Sequence, residues 1–129
     1  MAFITWKSEY SVGNEKLDQQ HQKLIELINK LHEAMKTGKA GKEIGLIVDE
    51  MVDYAKFHFE AEEKLMTEKK YIGLGSQKNE HAAFIKKTAE FQNEIKSGKL
   101  AVSLEVLNFL KDWLTNHILV SDMKYSGKI

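Results

Sequence analysis

The chain contains no cysteine and no proline among its 129 residues. Without cysteine there are no disulfides, no thiolate metal sites and no cysteine nucleophile. Without proline, the commonest breaker of long helices is missing. Glycine punctuates instead. Gly38 and Gly41, Gly73 and Gly75, and then Gly98 divide the chain into four segments behind an N-terminal arm. Charge of one sign is also lacking: Lys+Arg and Asp+Glu are both 19. That balance gives no support for a nucleic-acid or membrane-surface partner. No apolar run approaches the ~20 residues of a membrane span. The first residues lack the basic start and long apolar stretch of a secretion signal, so a cytoplasmic location is expected. No repeat or low-complexity tract is present.

What is there reads as a single all-α domain over residues 1–129. Apolar residues recur at helical spacing in four segments, at about 19–36, 42–67, 77–96 and 104–119, after an arm at 1–18. The first stripe is Leu24, Ile25, Leu27, Ile28, Leu31 and Met35, with Asp18 placed as its N-cap and Gly38 at its end. The second is Ile44, Ile47, Val48, Met51, Val52, Ala55, Leu65 and Met66. Phe84, Thr88, Phe91 and Ile95 form the third, with Ser76 as N-cap and Gly98 as stop. Leu107, Leu110, Trp113, Leu114 and Ile118 form the fourth, which starts after Ser103. Short connections make successive helices antiparallel neighbours, so the expected fold is an up-and-down antiparallel four-helix bundle. The arm carries Phe3, Ile4, Trp6, Tyr10 and Val12, and is expected to pack across the bundle. With the apolar faces turned inward, a monomer is expected.

The informative residues are ionisable side chains on those apolar stripes. His58 and Glu62 lie four apart, one turn apart on one helix face. Gln77 and His81 repeat the spacing. His21 opens the first helix and His117 closes the fourth. In an up-and-down bundle these places all fall at one end, so four helices deliver imidazoles and a carboxylate to one layer. Asp122 follows His117 by five residues, about 140° round a regular helix, so the fourth helix must end or unwind for both to reach one centre. Tyr125, Ser126 and Gly127 read as a frayed tail that permits this. His32 is a useful contrast: eleven residues beyond His21, it lies about 16 Å along the axis, at the other end. Nitrogen and oxygen donors without sulfur suit iron, zinc, manganese or copper. Six or seven convergent groups, two of them carboxylates able to bridge, point to two ions. The plain alternative, a bundle whose histidines and acids are satisfied core residues, leaves several buried ionisable groups uncompensated.

Asp18-Gln19-Gln20-His21, His58-Phe59-Glu60-Ala61-Glu62, His81 and His117-Ile118-Leu119-Val120-Ser121-Asp122 together resemble the bacterial hemerythrins. Phe109 to Leu114 and the Trp6 arm add to the likeness, which covers nearly the whole chain. The resemblance implies a non-heme centre of two iron ions (Fe2+/Fe3+) with a bridging oxo or hydroxo group, and reversible binding of dioxygen. It implies that His21 and His58 bind the iron with an open position, His81 and His117 the other iron, and that Glu62 and Asp122 bridge. Leu24, Phe59, Trp113, Leu114 and Ile118 become candidates for the apolar wall of the oxygen pocket. The family pattern has a further histidine one turn before His81, where this chain has Gln77. Either Gln77 binds iron through its amide oxygen, a weaker and neutral donor, or it stands off and leaves a water or a vacancy. Alternative functions on the same centre are a di-iron oxidase or peroxidase, and an iron-storage or gas-sensing module.

Overall fold

A computed structural model describes residues 4–38, 41–96 and 104–125; of residues 41, 42, 96, 104 to 106 and 120 it describes the backbone alone. Phe3, Gly98, Ser103, Ser126 and Gly127 fall outside the described residues. The chain forms an up-and-down four-helix bundle: α1 (Glu15–Lys36), α2 (Gly41–Glu68), α3 (Leu74–Lys96) and α4 (Leu104–Asn116). A π turn, His117–Ser121, and a short 3-10 turn, Asp122–Tyr125, continue α4.

Two helix starts differ from the sequence expectation. Asn14, not Asp18, caps α1, its side chain accepting from the Leu17 amide at 3.1 Å. Asp18 lies in the first turn instead. Its carboxylate takes the Ser11 hydroxyl at 2.5 Å and the Val12 amide at 2.8 Å, so it ties down the arm. Likewise Ser76 is no cap, because α3 begins at Leu74. The Gly73 carbonyl accepts the Gln77 amide at 3.0 Å, which closes the first turn around Ser76. Gly38, with φ +74°, does end α1 in the left-handed conformation that glycine tolerates best.

The apolar stripes meet in one large cluster. It includes Leu24, Ile28 and Leu31 from α1, Val48, Met51, Ala55 and Phe59 from α2, Phe84 from α3 and Leu107, Leu110 and Leu114 from α4. A second, smaller cluster joins Val12, Leu17, Met66 and Tyr125, with Leu74 packed against it. Each helix therefore passes from one cluster to the other, with buried polar residues near the boundary; His58 and His117 lie among the last residues of the large cluster on their helices. On α1 the order is Leu17, His21, Leu24; on α2, Phe59, Glu62, Met66; on α3, Leu74, Gln77, His81, Phe84. Along the fourth segment it is Leu114, His117, Asp122, Tyr125. A polar layer is thus clamped between two apolar ones.

The arm crosses the bundle as expected. Ile4, Tyr10 and Val12 are buried, and Trp6 meets Tyr10 edge-on at 5.6 Å. Besides Asp18, Asn29 holds the arm: it accepts from the Ile4 amide and donates to the Ile4 carbonyl, each at 2.8 Å. Replacing Asn29 by Ala strips both backbone groups of their partner. Urea unfolding of Asn29→Ala is expected to show a loss of roughly 1–3 kcal/mol.

Candidate metal centre

His21, Glu62 and Asp122 are 0% exposed, and His58, Gln77, His81 and His117 no more than 3%. All seven side chains singled out in the sequence reach this one layer. Their nearest approaches link both ends of the chain to its middle. His58 Nε2 lies 3.1 Å from Glu62 Oε1, and His81 Nε2 lies 3.3 Å from the same oxygen. Glu62 Oε2 stands 3.7 Å from His21 Nε2. Asp122 directs Oδ2 to His21 Nε2 at 3.1 Å and Oδ1 to His117 Nε2 at 3.0 Å. Each carboxylate therefore spans both pairs of imidazoles, His21 with His58 and His81 with His117.

The fourth helix solves the Asp122 problem differently from the expectation. Regular α-helix does end, at Asn116, but the chain runs on as a widened turn and does not fray. The Asp122 amide donates to the His117 carbonyl, five residues back, as well as to Ile118. A turn closed across five residues stacks Asp122 over His117, where a regular α-helix would turn it away. Tyr125 is not frayed either. It is fully buried, and its hydroxyl donates to Glu62 Oε2 at 2.5 Å.

Other groups that the sequence reading missed stand behind the imidazoles. Gln20 Oε1 is 2.6 Å from His58 Nδ1, Glu63 Oε2 is 2.7 Å from His81 Nδ1, and Glu80 Oε1 is 2.9 Å from His117 Nδ1. Ser121 donates its hydroxyl to the same Glu80 oxygen at 2.6 Å. An acceptor at Nδ1 places one ring hydrogen there and turns Nε2 to the layer's centre, where its lone pair is available to a cation once any proton on it has left. The one available signal was adjacency: Gln20, Glu63 and Glu80 each precede or follow His21, Glu62 or His81 by one position. Phe59 stacks on His81 with centroids 4.0 Å apart, and Trp113 on His117 at 4.5 Å. These two of the five proposed wall residues thus flank the His81–His117 pair. Leu24, Leu114 and Ile118 are buried in the large apolar cluster. His32, half-buried, stands far down α1 outside the layer.

The donors fit cations rather than each other. Among the described residues, His21 Nε2, His58 Nε2, Glu62 Oε1 and Asp122 Oδ2 are buried with no hydrogen-bond partner, although His21 Nε2 lies 3.1 Å from Asp122 Oδ2 and His58 Nε2 lies 3.1 Å from Glu62 Oε1. His81 Nε2 and His117 Nε2 face each other at 3.2 Å. Nitrogens and oxygens that converge in this way either repel or hold a proton between them, and a cation at the point of convergence can bond to all of them. Two such points exist among the described residues. One is framed by His21, His58, Glu62 and Asp122, the other by Glu62, His81 and His117, with donor atoms in each group within 4.8 Å of one another. First-row ions binding nitrogen and oxygen at about 2.1 Å hold donors up to about 4.2 Å apart, so the match is close. Gln77 adjoins this second group. Its Nε2 donates to Asp122 Oδ1 at 3.1 Å, and its Oε1 is buried without a partner among the described residues.

A family model described as "Hemerythrin HHE cation binding domain" matches residues 12–129. A bacteriohemerythrin of Stenotrophomonas maltophilia is 36% identical over 129 residues, all of this chain and 83% of that protein. One from Clostridium acetobutylicum is 38% identical, over 95% of this chain and 98% of its own. A solved structure titled as wild-type hemerythrin superposes with a TM-score of 0.93 at 33% identity, covering 98% of both chains.

The electrostatics of the metal-free layer make uptake of a cation pH-dependent. Burial works against a charged His21, but the adjoining Asp122 and Glu62 carboxylates outweigh it and push its pKa up to about 9. His117 is likewise pushed up to about 9, burial being overcome by Asp122 and then Glu62 and Glu80. Burial keeps His58 neutral instead, and Glu62, despite burial, is held well below the usual range by the surrounding imidazoles. A cation must therefore displace a proton from His21 and another from His117. Loading near pH 7 is expected to release about two protons per chain, measured with an indicator dye in weak buffer. The release should fade above pH about 9, and affinity should rise up to that point. Without a cation the sign reverses. The two raised histidines stabilise the fold fully below 6.5, and their contribution is lost as pH rises through about 9.

Proposed function

Since the chain belongs to the hemerythrin family, we propose that it binds dioxygen reversibly at a centre of two iron ions held in the polar layer. In this reading His21 and His58 hold one ion, His81 and His117 hold the other, and Glu62 and Asp122 join them. When bound, two ferrous ions supply the pair of electrons that dioxygen takes up on capture and returns on release. The observation that carries the proposal is the sealing of the donors between two apolar clusters, with each carboxylate facing both imidazole pairs.

The chain's own residues account for reversibility. Leu24, Leu114 and Ile118, buried beside the layer, exclude water, and Phe59 and Trp113 close the side of His81 and His117. Tyr125 keeps its proton. Burial, reinforced by the Glu62 and Asp122 charges, raises its pKa far above the ordinary value. Its hydroxyl therefore stays a donor to Glu62 and gives up no acid to the interior. A wall without water or a mobile proton keeps captured dioxygen from leaving in reduced form.

Gln77 shapes the second ion's surroundings. Through its amide hydrogen it orients Asp122. With Asp122 facing His117 as well as His21, each position has two histidines and both carboxylates, and Gln77 stands where the family pattern supplies a further imidazole. That neutral amide in place of an imidazole is the observation favouring a second reading, an oxidase that consumes dioxygen at an incompletely held ion.

Admitting oxygen to the reduced, iron-loaded protein is expected to produce visible absorption bands that vanish on deoxygenation. Steady oxygen consumption with a reductant present would instead establish the oxidase. Stopped-flow comparison with Gln77→His is expected to show the oxygenated form decaying several-fold more slowly in the variant. Equal decay at equal iron content would remove Gln77 from the account.

A further inference from the structure

The two ion positions differ in what stands behind their imidazoles. His81 and His117 each direct Nδ1 at a carboxylate, Glu63 at 2.7 Å and Glu80 at 2.9 Å. His58 directs Nδ1 at a neutral amide, Gln20, and His21 Nδ1 has no hydrogen-bond partner among the described residues. The supporting groups also differ in their access to water. Gln20 is buried, whereas the Glu63 and Glu80 side chains are 27% and 37% exposed. Glu63 reaches a surface groove that it shares with Lys56, Lys78 and Lys86. Glu80 lines a separate cavity of about 210 Å³ with Gln77, Ser121 and Lys124.

A carboxylate accepting the Nδ1 hydrogen pulls it away from the ring and enriches Nε2 in electrons, so the imidazole becomes a stronger donor to a cation. An amide does this far less. The position framed by three histidines and acids is thus the one whose two imidazoles are strengthened from behind. Partial exposure lets water solvate the two outer carboxylates, so their charge costs little to maintain.

We propose that Glu63 and Glu80 are positioning residues that set the two ions apart in potential, making the ion at His81 and His117 the first to give up its electron. The inference rests on the di-iron reading. Its physical content is the fourfold contrast of acceptors: carboxylate and carboxylate behind one pair, amide and none behind the other. Donor strength from Glu63 and Glu80 is thus concentrated at the position beside Gln77. In the one-electron step, one ferrous ion becomes ferric and the electron passes to an external one-electron oxidant.

The test is an anaerobic redox titration of the iron-loaded chain with a ferricyanide-type oxidant, on wild type, Glu63→Gln, Glu80→Gln and Gln20→Glu. Each Glu→Gln variant keeps the shape and removes the charge. Both are expected to make the first oxidation about tenfold less favourable, or ~59 mV for one electron. Gln20→Glu is expected to ease the second oxidation and narrow the gap. Unchanged first potentials in both Glu→Gln variants at full iron content would overturn the proposal. A wild-type chain that fails to bind two irons would overturn the di-iron reading instead. Should a variant lose iron, zinc-loaded protein gives a second readout. The ring N–H resonances of His81 and His117 are expected far downfield in wild type and moved upfield by the matching variant. Resonances that do not move overturn the proposal.

Discussion

Everything in this structure answers to the cost of taking four imidazoles and two carboxylates out of water in one plane of a bundle. Burying even one such group unpaired is expensive, and six in contact are tolerated only if something restores what water supplied. The protein supplies part of it from behind, through Gln20, Glu63, Glu80 and Tyr125. The inward face is left open. There, nitrogen and oxygen donors converge at two points among the described residues. The outward hydrogen bonds and the inward convergence are one device. The first fixes each ring so that the second can exist.

The helices are subordinate to that layer. α1 and α2 are regular because His21, His58 and Glu62 fall on their natural inner faces. The fourth segment departs from regularity at the one place where the layer demands it. A widened turn costs regular hydrogen bonds, and it is found where residues five apart, His117 and Asp122, must point together. Gln77, by contrast, needs no distortion. It lies in the first turn of α3, within reach of Asp122, and differs from its neighbours in chemistry alone.

Much of this was legible in the chain. The four stripes and the glycine punctuation carried the bundle, because an inner helix face must be apolar whatever else it does. Six polar residues stood out for the same reason, as exceptions on those faces, while Asp122 lay off the face of His117 and needed a break in the regular helix. Less legible were features that depend on neighbours brought in from afar. Glu63 and Glu80 look like ordinary surface acids, since a step of one residue rotates them about 100° from the inner face. Tyr125 lies among Ser and Gly residues with no period to betray it, and its burial follows from the small cluster it joins. Asp18 resembles a cap, but Asn14 stands four residues earlier and the arm competes for Asp18's oxygens. The widened turn has no composition signal at all, because tertiary pull on Asp122 creates it.

The smaller apolar cluster bears on how the molecule assembles. Val12 and Tyr125 are neighbours in that cluster, yet they stand at opposite extremes of the described chain. Contacts between such distant positions carry a large loop-closure entropy and form after local ones. Helical hairpins can therefore dock along the large cluster while this end still gapes. Tyr125, bonded to Glu62, is the piece that closes this end, so the floor of the polar layer is supplied by the last described residue of the chain.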